Sequence, residues 1–318
     1  MARSLQVSKL EEILQKELNT TKLKPLRFAT GGCINEGQSY LTENGKIFVK
    51  VNEKSEATKM FEGEFLSLET IYPTNTVRVP KPIKIFDHPA GSGSIFIMEH
   101  IDMKGLRKYQ AQLGAQLGRL HMDNIKKLQK AEIEENRIGK GKDPTAIHKF
   151  GFPAVTCCGY IGQNNEWCDD WVTFYTNRLQ QQMDLIDREY GDSEARSLWS
   201  SLKLKIPEFF KDVPDIKPSL LHGDLWSGNA AETDDGPVVF DPASFYGHHE
   251  FDLAIAGMFG GFSEAFYDAY HKEIPKEKGF NKRHQLYQLF HHLNHWNHFG
   301  TGYKSSSLAI IHGLLQNS

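Results

Sequence analysis

Cysteines, long apolar runs and an excess of either charge are scarce in this sequence. Four cysteines in 318 residues are too few for a disulfide scaffold, and no stretch stays apolar for the length that a membrane span needs. A formal net charge of −3 gives no electrostatic reason to bind nucleic acid or an anionic membrane. Residues 1–18 carry charges every few positions and lack the apolar core of a signal peptide. We therefore expect a cytoplasmic protein with reduced thiols and with neither a nucleic-acid nor a membrane partner.

The first hundred residues show strand patterns around helical segments. A capping-box spacing at Ser8 and Glu11 predicts an N-terminal helix, and Ser55 is the predicted cap of a second helix. The turn sequence at 43–46, Glu-Asn-Gly-Lys, predicts a type I′ hairpin. The predicted strands are 38–41, 47–51, 83–86 and 95–99.

Helical periodicity dominates from Leu106 onward. Leu113, Leu117 and Leu120 share one stripe, and residues 194–204 and 283–299 are further predicted helices. Strands followed by helices predict an α+β protein of two lobes. We place a small, sheet-rich N-terminal lobe at 1–102 and a larger helical lobe at 103–318.

The segment LLHGDLWSGN carries the strongest chemical signal. His222, Asp224 and Asn229 have the offsets H-x-D-x-x-x-x-N of a kinase catalytic loop, and a short β-type run then ends at Asp241. Phosphoryl transfer needs an oriented nucleophile and compensation of phosphate charge. Asp224 is the predicted proton acceptor, whereas Asn229 and Asp241 supply the hard oxygen ligands that Mg²⁺ prefers. Taken singly, Asp224 and Asn229 are equally typical of capping or turn residues.

Lys50, in the strand IFVKV, is the predicted clamp for the ATP phosphates. The functional interpretation requires a carboxylate on the next helix, and we favour Glu64 over Glu62 because Glu64 precedes Leu68 in the apolar stripe. The alternative is an outward-facing strand lysine.

Other residues complete the predicted ATP site. Met98, Glu99 and His100 lie at the end of the last predicted strand, and Gly31, Gly32 and Cys33 belong to a glycine-bearing turn between two strands. The turn lacks the G-x-x-x-x-G-K-[ST] pattern, so we interpret it as a flap whose N–H groups face anionic oxygens rather than as a P-loop. A plain hairpin turn is the alternative. The same N–H groups would favour a thiolate at Cys33, which makes it a candidate for oxidation and for a redox-dependent homodimer. The alternative is a small side chain without reactivity.

Long strings throughout the chain resemble the fructosamine-3-kinase / ketosamine-3-kinase family, a branch of the aminoglycoside- and choline-kinase-like fold. They are GGCINEG, FVKVN, MFEGE, VPKPIK, KFGFPAVTCCG, NEWCDDWVTFY, LLHGDLWSGN, FDPASFYGH and YQLFHHLNHWNHFG. The strings TNTVRVPKPIK and AIAGMFGGFS are most similar to the ketosamine-3-kinase branch. The resemblance implies a protein-kinase-like bilobal fold and transfer of the ATP γ-phosphate to the C3 hydroxyl of a ketoamine on a lysine of a glycated protein. It also implies that the unstable 3-phosphate adduct then falls off and restores the amine.

The family pattern carries over at Lys50, Asp224, Asn229 and Asp241. Where a protein kinase has Phe-Gly after its metal aspartate, this chain has Pro242-Ala243, which resembles the small-molecule kinases. Two alternatives stay open. A choline- or aminoglycoside-type kinase would share the same four residues, and a nucleotide-binding pseudokinase could act as a regulator.

Candidate acceptor contacts lie in two places. We predict that Trp226, inside the catalytic loop, contacts the acceptor, with core packing as the alternative. The segment 165–171 adds Trp167, Asp169 and Asp170 as predicted aromatic and carboxylate contacts for a sugar adduct. The alternative for the segment is a helix N-terminus with core tryptophans. On the 283–299 helix, His291 and His295 share the i, i+4 spacing of metal ligands, but we favour structural histidines there.

Overall fold

The structure is a computed structural model that describes residues 2–26, 36–89, 91–135, 145–213 and 215–316. The helices are α1 Ala2–Leu18, α2 Ala57–Ile71, α3 Gln110–Glu135, α4 Trp171–Tyr190, α5 Ser193–Lys205, α6 Glu250–Ala256, α7 Glu264–Glu273, α8 Phe280–Phe299 and α9 Lys304–Gln316. The strands are β1 Lys24–Pro25, β2 Glu36–Thr42, β3 Gly45–Asn52, β4 Pro82–Asp87, β5 Ser94–Glu99, β6 Lys104–Gly105, β7 Thr156–Cys158, β8 Ile161–Gln163, β9 Ser219–Leu220, β10 Ala230–Glu232, β11 Pro237–Val239 and β12 Tyr246–Gly247. None of the described helices is long and apolar enough to cross a membrane.

An antiparallel sheet with the order β1-β2-β3-β5-β4 forms the small lobe. Alternate side chains of a strand point to opposite faces, so β5 serves two layers at once. Ile95 and Ile97 pack in one apolar cluster with Leu14 of α1, whereas Phe96 lies 5.9 Å from the ring of Phe61 on α2. Both faces of the sheet are therefore covered by a helix, and the predicted strands at 38–41, 47–51, 83–86 and 95–99 are confirmed.

Three local predictions for this lobe need correction. The hairpin forms, with Thr42 opposite Gly45, but positive φ occurs at Gly45 (118°) and not at Asn44, so the turn is not type I′. Ser55 does not cap α2. The helix begins at Ala57, so the cap position falls on Glu56. Ser8 lies inside α1, since neither glycine nor proline interrupts the chain from Ala2 to Leu18.

Long helices form the second lobe around one core. The predicted stripe of Leu113, Leu117 and Leu120 is fully buried on α3. Gly114 lets α3 approach α7 closely, because a Cβ at this position would lie 2.0 Å from the carbonyl oxygen of Phe266. The predicted helices at 194–204 and 283–299 correspond to α5 and α8.

Short strand pairs in this lobe hold the segment 219–247. β9 pairs with β12, and β10 pairs with both β11 and β6. The segment therefore folds as two small ladders joined by the loops at 221–229 and 240–245. The small lobe's sheet ends at Glu99, whereas β6 already belongs with β10, and the lobe boundary at 102/103 stays a prediction.

Candidate active site

A buried carboxylate holds the loop that follows β9 by accepting hydrogen bonds from its backbone. Asp252, in the first turn of α6, accepts hydrogen bonds from the backbone N–H of His222 (2.7 Å) and of Gly223 (2.8 Å). Gly223 has a φ of 85°, and a Cβ there would lie 2.0 Å from the carbonyl oxygen of Ala243. Only glycine fits this position, so the loop is fixed immediately before Asp224.

Asp224 and Asn229 are brought together as the sequence spacing predicted. The Asn229 amide nitrogen donates to the Asp224 carbonyl oxygen at 2.9 Å and to its carboxylate at 3.2 Å. Burial and the charge of Asp241 raise the pKa of Asp224 to about 7, against the hydrogen bond from Asn229. A carboxylate whose pKa is near neutral can both accept a proton and release it again.

Lys50 joins the two lobes. Its Nζ lies 2.7 and 2.9 Å from the two carboxylate oxygens of Glu64 on α2 and 2.7 Å from Oδ1 of Asp241. The choice of Glu64 over Glu62 is therefore confirmed as the choice of ion-pair partner. Burial alone would lower the pKa of Lys50, but the carboxylates of Asp241 and Glu64 outweigh it and raise that pKa. Lys50 is thus a buried cation between two acids.

Asp241 leaves β11 with a backbone conformation that is unusual for its residue type. Its φ is 54°, in the left-handed region, where a residue other than glycine is strained. The side chain remains 47% exposed, although Lys50 beside it is buried. The strained backbone thus leaves the Asp241 carboxylate half exposed beside Lys50.

The residues predicted to contact ATP at the end of β5 bond to other residues of the protein. The N–H of Glu99 donates to the carbonyl oxygen of Lys81 and that of His100 to Lys46. The Glu99 side chain pairs with Arg78, and His100 Nδ1 lies 2.8 Å from Ser39 Oγ. These side chains are engaged locally, and Met98 is buried in β5. A role for 98–100 in binding ATP stays a prediction. Gly31, Gly32 and Cys33 lie outside the described residues.

The predicted acceptor residues separate into two groups. Trp226 follows Asp224 closely in the loop and is 38% exposed, and its ring fills the space that a Cβ on Gly228 would occupy. The segment 165–171 has local partners instead. Asp170 caps α4 by accepting from the N–H of Thr173, Asp169 pairs with Lys149, and Trp167 lies 6.2 Å from the ring of Tyr246. Their contact with an acceptor stays a prediction.

Sequence reasoning missed Asp252 and the network beneath it. His121 Nε2 lies 3.1 Å from Asp252, and His121 Nδ1 lies 2.8 Å from the hydroxyl of Tyr270. The available signal was a single carboxylate inside the apolar run from Phe251 to Ala256, every residue of which is buried. A buried charge in such a run needs a partner, and here the partners include the catalytic loop.

A family profile and similar sequences of known function point to the same family. The fructosamine kinase family profile matches residues 6–317. Ketosamine-3-kinase of Mus musculus is 54% identical over 309 residues, which are 96% of this chain and 99% of the relative. Chloroplastic protein-ribulosamine 3-kinase of Arabidopsis thaliana is 41% identical over 309 residues, or 96% of this chain and 87% of the relative.

Solved structures share the fold at lower identity. A candidate fructosamine-3-kinase of Haemophilus somnus superposes with a TM-score of 0.73 at 24% identity over 96% of each chain. A thermostable mutant of the aminoglycoside phosphotransferase APH(4)-Ia superposes with a TM-score of 0.58 at 12% identity over 96% of this chain and 98% of its own. The predicted protein-kinase-like fold, a small sheet lobe and a helical lobe, is confirmed.

Proposed function

This chain belongs to the fructosamine kinase family, and on that premise we propose that it is an ATP-dependent kinase acting on the C3 hydroxyl of ketosamines. The substrates are ribulosamines and psicosamines, and fructosamines to a lesser extent, on lysine side chains of glycated proteins. The juxtaposition of Lys50 with Glu64 and Asp241, beside Asp224, carries the phosphotransfer part of this proposal. The likeness to the mouse ketosamine-3-kinase supports the choice of acceptor.

The residues divide the reaction between them. Asp224 accepts the proton of the C3 hydroxyl as the oxygen attacks the γ-phosphorus, the bond to the ADP oxygen breaks, and the proton passes on to solvent. Lys50 turns from Asp241 toward the α- and β-phosphates when ATP binds, while Glu64 keeps it oriented. Removal of the 3-phosphate adduct then returns the lysine amine.

Asn229 and Asp241 are the residues that would hold Mg²⁺. The Asn229 amide nitrogen is engaged with Asp224, so its oxygen is the group left for a metal, and the Asp241 carboxylate is half exposed. An amide oxygen and a carboxylate are the hard ligands that this ion prefers. When bound, the ion offsets the negative charge of the triphosphate.

An ATP-consumption screen tests the proposed function. Ribulose-lysine, fructose-lysine, choline and kanamycin are offered to the wild-type protein with Mg²⁺. We expect turnover with the two ketosamines. Turnover with choline or kanamycin alone would place the chain among the other small-molecule kinases, and no turnover with any acceptor would favour a pseudokinase.

We also propose that the protein is cytoplasmic. Three described cysteines, Cys157, Cys158 and Cys168, are free thiols, which supports this location. A separate proposal is that oxidation of Cys33 prevents ATP binding or links two chains through a disulfide. Wild type and Cys33→Ser are treated with peroxide and compared by kinase assay and non-reducing electrophoresis. Equal sensitivity of the two proteins would refute the role of Cys33.

A further inference from the structure

The helix that carries Glu64 meets the helical lobe backbone against backbone. Gly63 precedes Glu64 in α2, and a Cβ on Gly63 would lie 2.2 Å from the carbonyl oxygen of Val155 and 3.0 Å from Cα of Thr156. Both atoms belong to the chain that enters β7, and neither is the end of a flexible side chain. Only glycine leaves room for so close an approach, so α2 contacts the β7–β8 hairpin directly beside Glu64.

A buried hydrogen bond makes a second connection one turn further along α2. The Ser67 hydroxyl donates to the carbonyl oxygen of Gly63 at 2.7 Å and accepts the backbone N–H of Ser244 at 3.1 Å. Ser67 and Ser244 are fully buried, so water cannot replace this bond. Ser244 follows Asp241 in the same loop. The bond therefore joins the helix that carries Glu64 to the loop that carries Asp241.

The β7–β8 hairpin is in turn fixed to the catalytic loop and to α4. Cys158 Sγ, in β7, lies 3.8 Å from the carbonyl oxygen of Gly223. The Asn165 side chain donates to Oγ1 of Thr156 at 2.8 Å and accepts from the buried guanidinium of Arg178 on α4. A displacement of the hairpin would break these contacts, so α2 rests against a fixed part of the helical lobe.

Glu64 needs this support because its ion pair is buried. The side chains of Lys50 and Glu64 are 9% and 10% exposed, and hydrogen bonds of 2.7 and 2.9 Å join them. Interactions between charges strengthen as water is excluded, and a buried charge that loses its partner retains its desolvation cost. A small displacement of α2 would therefore weaken the hold on Lys50, which also contacts Asp241.

We propose that Gly63 and Ser67 are positioning residues for the Lys50–Glu64 pair. They hold α2 on the β7–β8 hairpin and on the loop of Asp241, so Glu64 keeps one place relative to Asp241 whether or not ATP is bound. Lys50 then exchanges Asp241 for the phosphates without any movement of α2. This inference rests on the proposed function, because it assigns to these residues the alignment of Lys50 with ATP.

Removal of one hydroxyl group tests the proposal. Ser67→Ala leaves the N–H of Ser244 buried without an acceptor. Thr70→Val is the matched control, because the Thr70 hydroxyl makes the same kind of bond to a carbonyl one turn back, that of Leu66, within α2. At saturating ribulose-lysine, we expect Ser67→Ala to lower kcat/KM for ATP by about three- to tenfold, which corresponds to one lost hydrogen bond. The control should stay within about twofold.

A double-mutant cycle with Glu64→Gln separates positioning from folding. If Ser67 acts through Glu64, Ser67→Ala should lower kcat/KM for ATP by less than about twofold once Glu64 is replaced, because changes to residues that act as a unit are not additive. A role limited to the fold gives the same loss in both backgrounds. The cycle is also measured as the dissociation constant of Mg·ATP, which needs no turnover.

A larger side chain at Gly63 gives an independent check. Gly63→Ala forces α2 away from Val155, and Gly114→Ala on α3 is its control, since a Cβ there would be similarly crowded, 2.0 Å from the carbonyl oxygen of Phe266. We expect both variants to lower Tm, because each overpacks a close contact. Only Gly63→Ala should weaken the binding of Mg·ATP.

The outcomes separate the two claims. An active wild type with unchanged kcat/KM in Ser67→Ala, an equal loss in Thr70→Val, or full additivity with Glu64→Gln overturns the positioning role and leaves the kinase activity standing. A wild type that turns over no ketosamine overturns the proposed function, and the Mg·ATP titrations of the same variants then decide the positioning role alone. A wild type that does not bind Mg·ATP overturns both.

Discussion

The proposed phosphate side of the site, Lys50 with the acids around it, and the proposed acceptor side, the rings beside Trp226, differ in charge. On the phosphate side, the ionisable groups of Lys50, Glu64, Asp224 and Asp241 lie close together and come from both lobes. On the acceptor side, the ring of Trp226 lies 5.9 Å from that of Phe259, and the sequence has no Asp, Glu, Lys or Arg from Leu253 to Ser263. Charge stabilises the transferring phosphoryl group, whereas a neutral face can discriminate between hydroxylated acceptors without attracting anions.

The largest expected effect comes from removing the proposed proton acceptor on the phosphate side. Asp224→Asn removes the proton acceptor but retains a side chain of the same shape beside Asn229. We expect kcat to fall by about 10²–10⁴-fold while ATP binding stays nearly intact. Steady-state kinetics and an ATP titration measure the two quantities, and a variant with more than a third of the wild-type kcat would contradict the assignment.

The next effect concerns the acceptor side alone. Ribulosamines and fructosamines differ in configuration at C3, so a pocket that aligns one C3 hydroxyl with Asp224 turns the other away. Misplacement of a reacting atom can cost about 10²-fold. We expect kcat/KM for ribulose-lysine to exceed that for fructose-lysine. An equal or higher value for fructose-lysine would place this chain on the other branch of the family.

A smaller effect tests how the catalytic loop is held. Asp252→Asn leaves one acceptor oxygen where two N–H groups need one each, so we expect the free energy of unfolding to fall by about 1–3 kcal/mol. We also expect kcat to fall by about tenfold with the KM for ATP unchanged, since one lost hydrogen bond of this size corresponds to that factor. Urea unfolding and kinetics measure both changes.

The control for Asp252 is a carboxylate on the surface. Asp187→Asn removes an exposed ion pair with Arg196 and should lower the free energy of unfolding by no more than about 1 kcal/mol, with kcat unchanged. An Asp252→Asn protein that unfolds more easily but retains wild-type kcat would show that Asp252 supports the fold and does not position the loop.

The sequence predicted the phosphate side far better than the acceptor side. Mg²⁺ and triphosphate admit few residue types, so Lys50, Asp224, Asn229 and Asp241 could be recognised from spacing, and Glu64 from its place in an apolar stripe. The proposed acceptor side consists of Trp226 and Phe259, whose residue types are also common in protein cores. Their role depends on which rings tertiary packing leaves exposed, and neither periodicity nor spacing encodes that choice.

Local backbone features were also harder to predict than the fold. The hairpin at Gly45 and the start of α2 were misjudged because several residues can fill a turn or a cap with similar energy. Asp252 was missed because its partners are backbone N–H groups in a loop that is distant in sequence. The strand and helix patterns were predictable because burial fixes their period.

The smallest effect concerns pH and the buried histidines of the helical lobe. Burial lowers the pKa of His249 to about 3 and that of His295 to about 4, against an ordinary 6.5. Their contribution to stability is complete above pH 6.5 and is lost as the pH falls, because protons then bind the unfolded chain preferentially. We expect Tm to fall by a few degrees between pH 7 and pH 5.

The variant His295→Phe checks the origin of this acid sensitivity. It removes one titrating group from the set, so its Tm should fall less than that of the wild type over the same pH range. Parallel curves for the two proteins would show that His295 does not contribute.

The site of phosphorylation tests the central claim most directly. Ribulose-lysine labelled with ¹³C at C3 is incubated with ATP, Mg²⁺ and either wild type or Asp224→Asn, and the product is followed by ¹³C and ³¹P NMR. The wild type should give a phosphorus coupling at C3 and then free lysine, and the variant should give neither within the same time. Phosphate on any other oxygen, or an equal C3 signal from the Asp224→Asn protein, would contradict the account.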